Sequence, residues 1–231
     1  MSAVLFSELE QLIREYETDS RTIKGDRIIM KNYPKVFVMS TASQFERQIK
    51  KHCQSFLDNP IHPIEQYYPL VGMLNGPKPK VDKMFAKLEA YNDNGVETLC
   101  AEGFYAFWGG QAFKTVVKES FNETRDKKIE KINGIISSLL PLIEQDDAYA
   151  FNYAKNCYVS DILQGCSFED GEHAYLSIKL RRNRVAHDYL DGLTDTFEDL
   201  QTFYQKAVIY VAALMGSIDS QTTLVSHSNP R

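Results

Sequence analysis

The sequence predicts an all-α fold, and three observations carry that expectation. Apolar residues recur at three- and four-residue spacing through most long segments. No run alternates apolar and polar residues in a way that reads as a strand. The breaks between apolar segments hold Gly, Pro, Asn or Asp where helices would stop or be capped.

At 231 residues the chain is long enough for one large domain or two small ones. With no repeat and no low-complexity tract, one helical domain is expected over 1–217, followed by a flexible C-terminal tail over 218–231. Hydrophobic residues at 43% and charged residues at 25% fit a soluble globular protein with an ample core. A net charge of -5 argues against a protein that coats nucleic acid non-specifically, while leaving room for a local basic site.

Val4, Leu5, Leu9, Leu12, Ile13 and Tyr16 fall at helical spacing and predict an amphipathic helix over 3–17. Gly25 reads as a stop and Asp26 as a cap for a long helix over 27–57, which Pro34 should kink or divide. Phe37, Val38, Ala42, Phe45, Ile49, Cys53 and Phe56 form its apolar stripe. Residues 58–80 hold Pro60, Pro63, Pro69, Pro77 and Pro79 and are too proline-rich for one helix. A long irregular connection of this kind reads as an insertion that packs on the domain.

A short helix is expected over 81–91, ending at the turn Asn92-Asp93-Asn94-Gly95. Phe104, Tyr105, Phe107 and Trp108 form an aromatic patch closed by Gly109 and Gly110. Such a cluster can stack nucleic-acid bases, but beside helices it reads first as core. Helical spacing resumes over 113–121 and again over 124–140, where Pro141 should end or bend the helix. Lys114, Lys118, Arg125, Lys127, Lys128 and Lys131 could form an RNA-binding rim. They are interleaved with Glu119, Glu123, Asp126 and Glu130, so a salt-bridged solvated face is the safer expectation. A mixed segment over 142–163 precedes a break at Gly165 and 167–171. A helix over 172–189 follows, then a turn at Asp191-Gly192. The last helix should be capped by Thr194 with help from Glu198 and end near Met215 and Gly216.

Cys53, Cys100, Cys157 and Cys166 include no C-x-x-C pair, so a zinc knuckle is not expected and buried thiols are. His52 beside Cys53 reads as a packed or surface residue, since no third orienting group accompanies the pair. The N-terminus has no basic region and long apolar core of a signal peptide, and no segment has the length of a membrane span. A cytoplasmic protein without membrane attachment is the expectation.

One stretch concentrates chemistry: Leu180-Arg181-Arg182-Asn183-Arg184-Val185-Ala186-His187-Asp188-Tyr189. Arg presents a fixed planar cation that matches phosphate oxygens. His can exchange a proton near neutral pH, and Asn can orient either neighbour. Arg182 and His187 are five residues apart, about 500° around an ideal helix, and so do not share a face. Asn183 and His187 do. For Arg182 and His187 to meet on one phosphate, the helix must distort or a second copy of the motif must complete the site. The plainer alternative is a solvated helix end, where cations are favoured near the C-terminal dipole.

Arg182-Asn183-x-x-x-His187 near the end of the penultimate helix, followed by a short turn and a long final helix, resembles the signature of the HEPN superfamily. Ser43-Gln44-Phe45-Glu46 is similar to the first long helix of the branch often labelled RiboL-PSP-HEPN. The resemblance implies a HEPN-like helical bundle with additional helices and a long Pro-rich connection. It also implies a homodimer in which two motifs face one cleft, and a metal-independent endoribonuclease of the toxin or anti-phage defence kind. Arg182 would hold the scissile phosphate, His187 would act as general acid or base, and Asn183 would orient one of them. Glu46 would add a polar group from an earlier helix, and Lys179, Arg181 and Arg184 would contact RNA. No cofactor and no metal are implied. A neutralising or regulatory protein partner is expected for so hazardous an activity. The alternative is a HEPN-like module that dimerises, or binds a partner or nucleotide, without cutting.

Overall fold

The computed structural model describes residues 23–57, 102–105, 108, 110–157, 162–188 and 193–227, and among them every regular element is helical. The helices expected over 3–17 and 81–91 and the Pro-rich connection over 58–80 lie outside the described residues.

Helix α1 (Ile23–Leu57) begins ahead of Gly25 and Asp26, which therefore lie within it instead of stopping or capping a neighbour. Pro34 is also internal and does not divide it. A proline costs a helix one backbone hydrogen bond. Here the stripe of Phe37, Val38, Ala42, Phe45, Ile49 and Cys53 is buried along the helix beyond it, and that burial holds the helix together.

Helix α2 (Glu102–Tyr105) is a single turn whose aromatic residues are core. Phe104, Tyr105 and Trp108 are buried and pack edge-on or tilted against one another and against Phe113. They are thus unavailable as base-stacking platforms. The chain turns into α3 (Gln111–Leu139) through Gly110, whose φ of 63° lies in the left-handed region that favours glycine. The Gly110 amide donates to the Tyr105 carbonyl at 2.9 Å, which ties the two elements.

The two helical segments expected over 113–140 are one helix. Pro141 sits in a 3-10 turn (Leu140–Leu142) that ends it. Helix α4 (Gln145–Cys157) follows.

Helix α5 (Phe168–His187) starts where a break was expected. Ser167 is its N-cap: the Asp170 amide donates to Ser167 Oγ at 3.1 Å, and the Ser167 amide donates to Asp170 Oδ2 at 3.0 Å. This reciprocal box satisfies two orphan donors of the first turn. Gly171 is inside the helix because there is no space for a side chain. A Cβ there would stand 2.6 Å from Phe121 Cε2 and 3.2 Å from Tyr210 Cβ.

Helix α6 (Phe197–His227) is capped by Thr196, not Thr194. The Asp199 amide donates to Thr196 Oγ1 at 3.2 Å, and the Thr196 amide donates to Asp199 Oδ2 at 3.0 Å. The helix also runs past Gly216, well beyond the end expected near Met215. Its buried stripe of Ala207, Val211, Leu214 and Ile218 continues through that glycine and keeps the helix docked.

α6 is the axis of the fold: α5, α3 and α1 all pack on it, α5 most extensively. α1 lies against both α5 and α6. Tyr105 Oη donates to Glu172 Oε1 and lies 2.7 Å from Tyr210 Oη, so one buried phenol joins α2, α5 and α6. At the α5–α6 corner, Phe37 and Val38 of α1 pack with Leu200, Leu193, Phe197 and Phe203. Among the described residues, no helix is long and apolar enough to cross a membrane.

Candidate functional site

The motif lies at the C-terminal end of α5, on the side of the fold where the chain turns into α6. Residues 181–187 are all helical, and the Asp188 amide donates to the Arg184 carbonyl at 2.7 Å. The helix is therefore regular through His187. Five residues then place Arg182 and His187 about 140° apart, on different faces. Of the two ways to bring them together, distortion within one chain is not what this helix does.

The three arginines differ. Arg181 is committed to the corner. Its Nε donates to Asp195 Oδ2 at 2.9 Å and its Nη2 to Asp195 Oδ1 at 2.7 Å, a two-pronged pair matched to the planar fork. Its Nη1 donates to the Ser177 carbonyl at 3.4 Å, and its guanidinium lies 4.4 Å from the centre of the Phe203 ring. Arg182 makes one contact of this kind: Nη2 donates to Glu46 Oε2 of α1 at 2.5 Å. Its Nε is buried with no acceptor among the described residues. Arg184 is exposed.

Asn183 is half-buried and His187 is exposed one turn further on, on the same face. Lys179 is buried, with 5% of the residue exposed, and so is not part of an open rim. Glu46, reached from 136 residues away, is brought to the motif; its Oε1 also lies 3.2 Å from Lys50 Nζ. The end of α5 thus gathers Glu46, Arg182, Asn183 and His187 in one region, with Arg182 and His187 on separate faces.

Asp195, Phe203 and Lys50 take part in this region without having been singled out in the sequence. Lys50 was legible, because a lysine four residues after a glutamate on a helix pairs with it. Asp195 is the acid that the α5–α6 turn brings opposite Arg181, and that needed the turn geometry.

Cys100, Phe107 and the Cys157 side chain lie outside what is described, and the other candidates resolve as structural groups. Cys53 and Cys166 are buried; burial pushes their thiols up to about 12 and about 11, and so holds them protonated and poor as nucleophiles. His52 Nδ1 lies 2.8 Å from Asp219 Oδ1, a link from α1 to α6. On α3, Lys127 pairs with Glu123, Arg125 with Asp126, and Lys118 with Glu169 on α5, as expected of a salt-bridged face. Lys128 donates to Gln205 at 3.2 Å. A cleft of about 360 Å³ opens beside Arg125, Ile129, Asn133 and Gln164, and no motif residue lines it.

No protein-family model matches the chain, and neither a curated protein nor a solved structure shows a significant likeness to it.

Proposed function

We propose that the chain is a metal-independent endoribonuclease of the HEPN type that works as a homodimer, serving as a toxin or anti-phage defence effector. The observation that carries this reading is the end of α5: Arg182 anchored to Glu46, with half-buried Asn183 and exposed His187 on one face of the same helix end. The regular helix keeps Arg182 and His187 of one chain apart, so the working site takes two copies of the motif. Each copy then offers its arginine to a phosphate that the other copy's histidine can reach.

In that site the RNA 2′-hydroxyl attacks the adjacent phosphorus. The new P–O2′ bond forms as the P–O5′ bond breaks. One histidine takes the 2′-hydroxyl proton and a proton is returned to the departing 5′-oxygen. Arg182 stabilises the charge that grows on the non-bridging oxygens. Products are a 2′,3′-cyclic phosphate and a 5′-hydroxyl. Asn183 orients the histidine, and Arg184 approaches the RNA backbone. A neutralising or regulatory protein would restrain the activity in the cell.

A second reading is a HEPN-like module that binds without cutting. It is favoured by the internal carboxylates that already occupy Arg181 and Arg182.

The test is incubation of wild type and His187→Ala with a mixed RNA pool in EDTA, followed by analysis of the cut ends. Cleavage by wild type alone, leaving cyclic phosphate ends and falling at least about 100-fold in the variant, is the expected outcome. A wild type that cuts nothing but forms a defined complex establishes the second reading.

A further inference from the structure

We propose that residues 135–149 form a self-complementary surface on which a second copy of this chain docks, and that this contact sets two motifs beside one another. The proposal rests on the ribonuclease reading for its last step, the joining of two motifs in one site.

Among the described residues, the large hydrophobic residues that stand exposed are Ile135, Leu139, Leu142 and Tyr149. They follow one another along the end of α3, the 3-10 turn and α4. Leu142 and Tyr149 are 81% and 78% exposed. Apolar residues scattered singly over a surface are ordinary, whereas a group of this kind marks a contact. The packing of α3 explains why they are bare. α3 and α6 run antiparallel: Ser120 Oγ donates to the Ala213 carbonyl at 3.3 Å, and Lys128 Nζ donates to Gln205 Oε1 at 3.2 Å. Gln205 lies eight residues after the α6 start at Phe197, and Lys128 lies eleven residues before the α3 end at Leu139. α3 therefore outreaches α6. Its core-facing residues Val117, Phe121 and Ile132 are followed at helical spacing by Ile135 and Leu139, where α6 runs out. Among the described residues α4 packs extensively on no other helix, so it adds exposed side chains instead of covering them.

The charges say what covers the patch. Lys131, one turn before Ile135 on the same side of α3, is exposed. Glu144, Asp146 and Asp147, beyond Leu142, are exposed as well. The patch thus has a basic edge, an apolar middle and an acidic edge. A twofold axis through the middle reverses that order. Lys131 of each copy then meets the acids of the other, and the apolar residues meet their counterparts. A partner carrying one sign of charge would leave one edge facing its like. The location serves the motif too. α5 ends where α6 begins, and the outreaching end of α3 is level with that start. The patch and Arg181–His187 are at the same end of the bundle. Joining two patches brings two motif-bearing ends together, which the separation of Arg182 and His187 within one helix requires.

The experiment is sedimentation equilibrium of the full chain, with RNA cleavage measured on the same samples and circular dichroism reporting the fold. Wild type is compared with the Leu139→Glu/Leu142→Glu double, with Lys131→Glu, with the Asp146→Lys/Asp147→Lys double, and with these last two combined. Wild type is expected to dimerise, and Leu139→Glu/Leu142→Glu to raise the dissociation constant at least about 100-fold by driving charge into the contact. Each charge reversal alone is expected to weaken the dimer about tenfold, and their combination to restore it. Restoration is the signature of a twofold surface, which a general change of net charge does not produce. If the apolar double fails to fold, the charge reversals carry the test. A wild type that is monomeric at every concentration, or a dimer indifferent to both sets of variants, overturns the surface. Should that protein still cut RNA, the ribonuclease reading stands without it. A dimer that follows these variants in a protein that cuts no RNA supports the surface and overturns the ribonuclease reading instead.

Discussion

From Phe168 to Lys179, α5 is a core element. Its start is fixed by the Ser167–Asp170 box, Gly171 lets it touch Phe121 and Tyr210, and every residue from Ala174 to Lys179 is buried. From Arg181 to His187 the same helix carries only one buried residue, Val185, and apart from exposed Ala186 presents polar groups at half or full exposure. The first region places the second. A helix end that projects charged groups toward solvent cannot hold its own position, because its surface ion pairs are weak. The buried turns below it supply the rigidity that a binding constellation needs. Arg181 crosses this division: it belongs to the motif in sequence and to the corner in structure.

The largest expected effect tests the buried region. Gly171→Ala puts a methyl group against the edge of a core ring and against the α6 side chain of Tyr210. Overpacking of this kind outweighs the better helix propensity of Ala, and a loss of about 2 kcal/mol in denaturant unfolding is expected. An unchanged or raised midpoint would mean that the α3–α5–α6 packing yields easily. The rigidity argument for the motif would then fail.

The next effect asks whether the two arginines belong to different regions. Arg181→Ala removes a two-pronged pair and a ring contact and leaves Asp195 facing the corner alone. Its side chain is 20% exposed. A cost of about 1.5 kcal/mol is expected, between the values for exposed and fully buried pairs. Arg182→Ala should cost less than about 0.5 kcal/mol, since it removes a single contact together with a donor that has no acceptor. Paired urea melts measure both. Equal losses would show that Arg182 is as structural as its neighbour and would weaken the ribonuclease reading.

Much of this architecture was legible from spacing. The α1 stripe from Phe37 to Cys53, the end of α3 at Pro141 and the aromatic core of Phe104, Tyr105 and Trp108 stand as expected, because each depends on local periodicity or on one strong breaker. The departures differ in cause. Gly165, Ser167 and Gly171 together look like a loop, yet Gly171 is small because Phe121 and Tyr210 press on it, and those residues lie far away in sequence. Gly216 has the character of a helix stop, but the apolar stripe continues past it to Ile218 and keeps the helix going. Thr196 with Asp199 has the three-residue spacing of a capping box, which Thr194 with Glu198 lacks; that signal was available. The motif itself was plain, but nothing in the order Arg181-Arg182 says which arginine is bound at the corner. Asp195 and Glu46 make that distinction, and both are brought in by tertiary structure.

The smallest effect concerns the box that starts α5. The Ser167 backbone and hydroxyl hydrogen bonds hold the Asp170 carboxyl below its ordinary value of 3.8, with Lys206 and His173 adding attraction. A carboxylate depressed in the folded state contributes stability that is fully present above its ordinary value. That contribution is lost as pH falls through the depressed one. Asp170→Asn should therefore be less stable than wild type at pH 6, by about 0.5 kcal/mol for a carboxylate at a helix N-terminus. The difference should shrink as pH falls below 3.8, because the wild type then loses what the variant never had. Thermal melts of both proteins across that range measure it. A gap that stays constant would mean that the box holds through its geometry, with asparagine lacking something other than charge. The buried half of α5 would then be fixed by shape alone, in contrast to the motif end, where charge dominates.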